Sequence, residues 1–106
     1  MTEPFIFGPT NQVLGTKDAP DMLNWLADSL ETGAKLLLID LVHVQSIESS
    51  GIGILMIARN RARRAGARLV ICSLTDETSL QIERAGLLEK FEIFPNRDAF
   101  ERISSN

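Results

Sequence analysis

Two adjacent serines, Ser49 and Ser50, follow a carboxylate, Glu48, and precede two glycines, Gly51 and Gly53. A serine hydroxyl becomes a nucleophile when a neighbouring base takes its proton; otherwise it serves as a hydrogen-bonding group or a phosphate acceptor. The base nearest in sequence is His43, the chain's one histidine, and Asp40 lies three residues before it. Asp40, His43 and Ser49 supply the residue types of a hydrolytic triad. Their spacing argues against one, because three members within ten residues are geometrically cramped. No loop that would bind an oxyanion is evident beyond the start of the following helix. Phosphate acceptance is the chemistry that remains. A phosphate on Ser49 adds about −1.5 to −2 charges at pH 7. Beside Glu48 such a charge is repelled and costly to bury in an interface. The predicted effect is release of a bound partner. The plain alternative is that one of the two serines is a helix N-cap, its oxygen bonded to a backbone N–H.

The rest of the chain offers little other chemistry. His43 has no neighbouring Cys or His to complete a metal site, and neither a Walker-type phosphate loop nor a dinucleotide fingerprint is present. The single cysteine, Cys72, lies in an apolar run and reads as a buried small hydrophobe. It can form no intramolecular disulfide, which fits a reducing compartment. The 106 residues make one domain, residues 1–106, and 44% apolar content with moderate charge suits a single packed core. A net charge of −3 argues against nucleic acid or an anionic membrane as the main partner. Residues 1–4 lack the basic start of a secretion signal, and the apolar run 36–39 is far too short to insert in a bilayer. The expected location is cytoplasmic.

The hydrophobic pattern supplies the elements that would hold the serines in place. Residues 3–8 and 12–15 read as two short strands, with Pro9-Thr10-Asn11 able to turn a hairpin between them. Residues 18–33 read as a helix, with Asp18 as cap, Pro20 in the first turn and Gly33 as stop. Leu23, Leu26, Ala27 and Leu30 form its apolar face, with Met22 and Trp25 toward another side. Residues 35–41 form a strand apolar on both faces, the mark of an interior strand covered on both sides. Residues 51–65 are the second helix, with Ile54, Leu55, Ala58, Ala62 and Ala65 facing the core and Gly66 ending it. A strand at 68–73, a helix at 76–85 capped by Thr75 or Asp76, an edge strand at 91–94 and a last helix from 95 to 103 complete the chain. Strand, helix and strand in succession indicate parallel crossovers.

Around the serines, two features invite a partner. Gly51 and Gly53 each weaken a helix by roughly 1 kcal/mol relative to alanine. Close packing of the first helical turn explains them, and so does close approach of a partner's backbone. Ile52 and Met56 share a helical side with Ser49, as a contact patch or as ordinary core. Arg59 and Arg63 extend that stripe, either as a solvated face or as an attraction for an acidic surface.

The stretch 40–53, Asp-Leu-Val-His-Val-Gln-Ser-Ile-Glu-Ser-Ser-Gly-Ile-Gly, resembles the signature of the STAS domain family, named for sulfate transporters and anti-sigma factor antagonists. Val44 and Ile47 match its buried apolar positions, and residues 48–53 match its Asp-Ser-Ser/Thr-Gly-hydrophobic-Gly end without a gap. Asp18-Ala19-Pro20, residues 66–72, Ala85-Gly86-Leu87 and Asp98-Ala99 also resemble family landmarks, so the likeness runs from about Gly15 onward. Glu48 stands where the family has aspartate, and Ser46 stands where it has a large apolar residue.

The resemblance implies an α/β, STAS-like fold: a four- or five-stranded mixed sheet with about four helices packed mainly on one face. It implies that Ser49 is the phosphoacceptor, that Glu48, Ser50, Gly51, Ile52, Gly53 and Met56 form the partner-binding surface, and that no residue is catalytic. The partner would be an anti-sigma factor with serine kinase activity. Binding it would free a sigma factor, phosphorylation would end the binding, and a phosphatase would reset the cycle. The kinase would bring ATP, so this chain needs no cofactor. An alternative within the family is a scaffold subunit of a transporter complex, of the lipid-trafficking ABC type, that does not use phosphorylation. A hydrolase or a small-nucleotide-binding protein is the reading outside it.

Overall fold

The computed structural model describes residues 5–104. Six strands and four α-helices follow one another along it: β1 (Phe5–Phe7), β2 (Val13–Leu14), α1 (Ala19–Glu31), β3 (Leu36–Asp40), β4 (Ser46–Ile47), α2 (Ser49–Arg64), β5 (Arg68–Cys72), α3 (Asp76–Arg84), β6 (Glu92–Phe94) and α4 (Arg97–Ser104). The main sheet has the order β1-β3-β5-β6, and β2 pairs with β4 in a second, two-stranded sheet. The expected sheet with four helices is present, but every pairing among the described residues is parallel, where a mixed sheet was expected. Each step between main-sheet strands contains a helix, and that connection carries the chain back so that the next, neighbouring strand runs in the same direction.

The unbroken apolar run of β3 has a direct cause. Successive side chains alternate faces, and both faces of this sheet are covered. Leu37 and Ile39, with Leu69 and Ile71 of β5, join the large core beneath α1, α2 and α3. Leu38, Val70 and Cys72 point the other way and meet Phe100 of α4. Three helices thus cover one face and one covers the other.

The hairpin expected at Pro9-Thr10-Asn11 does not form. Phe5, Ile6 and Phe7 pair with Leu37, Leu38 and Ile39, while Val13 and Leu14 pair with Ser46 and Ile47. The chain therefore crosses from one sheet to the other between β1 and β2, and Leu14 reaches the core beside Ile47. Glu3, the expected start of the first strand, lies outside the described residues.

Helix α1 is rotated from the expected face. Met22 and Leu26 are fully buried, Ala27 is exposed, and Trp25 is half-buried with its ring centroid 5.4 Å from that of Phe7. The burial of Ser29 one turn after Leu26 shows that this arc is fixed by fit to the sheet and not by maximal apolarity. Asp18 stands at the N-cap of the helix as expected, but its side chain makes no cap bond. Its carboxylate accepts from the Gly15 N–H at 3.0 Å and from Asn11 Nδ2 at 2.9 Å, tying β2 to the start of α1. Helix α2 buries Ile54, Leu55, Ala58 and Ala62 as expected, but Ala65 falls past the last turn and is exposed. Gly66 follows with φ 76°, the left-handed conformation that glycine adopts without strain. Thr75 caps α3, accepting from the Thr78 N–H at 3.0 Å, and α3 buries Thr78 and Ile82 while Leu80 stays exposed.

Candidate functional site

The serines follow β4, on chain that leaves the carboxyl end of β3. Strand β4, two residues long, is the element that sequence patterning missed, since two residues carry no periodicity. It is held from both sides. Toward β2, the N–H groups of Gln45, Ser46 and Glu48 donate to the carbonyls of Gln12 at 2.7 and 3.1 Å and of Leu14 at 2.9 Å. On the other side the Ile47 N–H donates to Gln81 Oε1 at 2.6 Å, and Gln81 Nε2 donates to Ser46 Oγ at 3.1 Å. Gln81 belongs to α3, so one amide clamps the segment that enters α2. Ser46, an unusual residue there by resemblance, is the second half of that clamp. Val44 and Ile47 anchor the same segment in the core. Gln81→Leu strands a half-buried N–H, and we expect it to cost about 1–3 kcal/mol in a urea denaturation measurement.

Neither serine caps α2. Glu48 is the N-cap, with extended backbone (φ −76°, ψ 164°), and its carbonyl accepts the first helical hydrogen bond from the Ile52 N–H at 3.0 Å. Its carboxylate makes no cap bond and instead lies across Gly15, where an added Cβ would come 2.5 Å from Oε2. Ser49 and Ser50 are the first two helical residues, and both are exposed. Ser50 leans toward Gly15, its Oγ 3.5 Å from the position a Cβ would take there. Ser49 Oγ has no hydrogen-bond partner among the described residues. The hydroxyl is therefore available, on backbone that is firmly placed. A phosphate on it would sit at the positive end of the helix dipole, so the charge is tolerated by the domain itself.

The two glycines have separate roles. Gly51 is buried, and a Cβ there would meet the Leu14 carbonyl oxygen at 2.4 Å and Ile47 Cγ2 at 2.9 Å. Its absence of a side chain seats the first turn of α2 against β2. Gly53 is exposed, with nothing within 4 Å of an added Cβ. Ile52 and Met56 are half-buried, packing one flank against the core and leaving the other accessible beside Gly53. The structure thus brings Glu48, Ser49, Ser50, Ile52, Gly53 and Met56 to one surface, with Gly51 beneath it. A cleft of about 500 Å³ borders this surface, lined by Asn11, Gln12, Val13, Gly15, Lys17 and Glu48. Gly15 and Lys17 carried no sequence signal, because their place beside Glu48 depends on the parallel β2–β4 pairing.

The triad geometry is absent. Asp40 is buried and its carboxylate is committed elsewhere: Oδ1 accepts from the Val42 N–H at 3.1 Å, and Oδ2 takes Arg97 Nε at 3.1 Å and Nη2 at 3.0 Å. It orients the start of α4 and not His43, which is exposed in the loop. Among the described residues no group of three or more His, Cys, Asp or Glu side chains is placed to hold a metal ion. Burial pushes the Cys72 thiol up from 9.0 to about 11. The native state then keeps a proton that the unfolded chain loses, so stability is full below pH 9 and falls as pH rises to about 11. Denaturation across that range should show a slope steeper than that of Cys72→Ala by up to about 1.4 kcal/mol per pH unit.

A parallel four-stranded sheet with three helices on one face and one on the other, and a short strand feeding an exposed serine pair at a helix start, defines an α/β module. Its family is shown by a match of residues 11–100 to the STAS domain model, and the chain belongs to that family. Solved structures with the same fold include a Thermotoga maritima protein described as a candidate anti-sigma factor antagonist, 18% identical with a TM-score of 0.75 over 93% of this chain and 87% of that one. A sulfate transporter family protein from Wolinella succinogenes is 20% identical, with a TM-score of 0.81 over 94% and 85% of the two chains. A murine anion transporter of solute carrier family 26 is 16% identical, with a TM-score of 0.76; the match covers all of this chain and 18% of the transporter. At these identities the likeness is one of fold. No curated protein matches the sequence. Among the described residues no helix is long and apolar enough to cross a membrane.

Proposed function

We propose that this chain is a cytoplasmic anti-sigma factor antagonist that binds an anti-sigma factor with serine kinase activity, and that phosphorylation of Ser49 ends the binding. The observation that carries this reading is the Ser49 hydroxyl: exposed, without an internal partner among the described residues, and flanked by the accessible apolar edge of Ile52 and Met56. In the unmodified state the partner covers Glu48, Ser50, Ile52, Gly53 and Met56, with its backbone close to Gly53. The Ser49 oxygen attacks the γ-phosphorus of the kinase-bound ATP, ADP leaves, and the serine proton passes to a base on the kinase. The catalytic groups are the kinase's own. The phosphate then stands on Ser49 inside the interface, where its unmatched negative charge is too costly to keep buried. A phosphatase restores the hydroxyl.

Glu48 is compatible with this cycle because its carboxylate turns toward Gly15 and leaves the approach to Ser49 open. The test is phosphoryl transfer from ATP by the serine kinase that co-purifies with the chain. Wild type and Ser50→Ala should be labelled equally and Ser49→Ala should remain unlabelled. Labelling of Ser50, or a partner that is a transporter ATPase and transfers no phosphate, would overturn the reading in favour of a scaffold subunit.

A further inference from the structure

Helix α2 carries four arginines, Arg59, Arg61, Arg63 and Arg64, and no acidic residue, in a chain whose net charge is −3. Arg61, Arg63 and Arg64 lie in the last turn, where cations complement the helix dipole. That explanation does not reach Arg59, which is a turn earlier, nor Lys90, which comes from the segment before β6. Yet Arg59, Arg63 and Lys90 converge on one cleft of about 280 Å³ with Ala67 and Leu69 in its lining. The cleft's remaining cation, Arg68, is matched by Glu92, whose Oε1 and Oε2 it meets through Nε at 2.7 and 2.8 Å. Arg59, Arg63 and Lys90 have no ion-pair partner among the described residues. Within the lining Arg68 and Glu92 offset one another, and Arg59, Arg63 and Lys90 keep three positive charges.

We propose that this cleft docks an acidic segment of the protein partner, with two or three carboxylates seated against Arg59, Arg63 and Lys90. Charge complementarity identifies the occupant's chemistry, and continuity identifies its source. Met56 and Arg59 lie three residues apart, so the apolar edge beside Ser49 runs along α2 directly into the basic cleft. A partner that covers Ile52 and Met56 reaches the cleft with the next few residues of its own chain. This part rests on the proposed use of the Ser49 surface, while the cleft's affinity for carboxylates does not. The two ends of α2 then divide the work: Ser49 decides whether the partner stays, and the basic end steers its approach, an effect that salt screens.

The experiment is an amide NMR titration with synthetic hexaglutamate at low salt, run beside inorganic pyrophosphate. The expected result is saturable shifts at Arg59, Arg63, Ala67, Leu69 and Lys90, weakened at least tenfold by Arg59→Glu/Arg63→Glu and by raised salt. Ser49→Asp should leave hexaglutamate affinity within twofold, which separates failure of this site from failure of the serine switch. Arg59→Gln/Arg63→Gln repeats the test without introducing negative charge. Shifts centred on Arg61 and Arg64, affinity unchanged in either arginine pair, absence of saturable binding, or tighter binding of pyrophosphate at the same residues would each overturn the proposal.

Discussion

Gly51→Ala should destabilise the domain by a net of about 2 kcal/mol, while Gly53→Ala should stabilise it by about 0.5–1 kcal/mol. Alanine is the better helix former at both positions by roughly 1 kcal/mol, so propensity alone predicts two gains. Packing decides otherwise at the first. A Cβ on residue 51 would lie 2.4 Å from the Leu14 carbonyl oxygen, and that oxygen is fixed because it accepts the Glu48 N–H. Neither the β2–β4 ladder nor the helix start can give without losing that hydrogen bond, and overpacking of this kind costs about 3 kcal/mol. At residue 53 there is open space. Urea denaturation measures both effects. On the proposed function Gly53→Ala should still weaken partner binding, because the methyl group would stand where the proposed partner's backbone comes close. A stable Gly51→Ala protein would mean that the β2–β4 sheet does not seat α2 as described.

The second large effect concerns affinity. Ser49→Asp should weaken partner binding at least about thirtyfold, or about 2 kcal/mol, the cost of an unmatched charge in a desolvated contact. Ser49→Ala should bind within about twofold of wild type and stay bound in the presence of ATP. Both variants should keep wild-type stability to within about 0.5 kcal/mol, because Glu48 and not a serine occupies the N-cap. That separates the two ideas cleanly: a capping serine would cost about 0.5–2 kcal/mol on replacement. Titration calorimetry with the isolated partner reads the affinities, and unchanged binding of the aspartate variant would remove the basis for the switch.

Much of this was legible in the residues. The run Leu36–Asp40 announced a strand buried on both faces because no alternation was present to hide. The order of strands and helices followed from punctuation by glycine, proline and capping residues. What was not legible depends on contacts distant in sequence. The β2–β4 pairing joins residues about thirty apart through two-residue strands, too short for any period to show. The Gln81 clamp on Ser46 and Ile47 spans thirty-five positions and uses a residue type common on any helix surface. Asp18 occupies the N-cap of α1, but its carboxylate serves Gly15 and Asn11, a use that no local pattern announces. At the site, the motif placed the serines at a helix start, but only the geometry could separate Gly51, used by the fold, from Gly53, left open to a partner.

The central claim is that Ser49 carries a phosphate in the living cell. The direct measurement is the intact mass of the protein purified from its own cells under growth and under stress, with the modified residue mapped by peptide fragmentation. The account predicts a species heavier by one phosphate, located on Ser49, whose fraction changes between the two conditions. A single unmodified species in both conditions, from cells in which the chain is bound to a transporter ATPase, would contradict it.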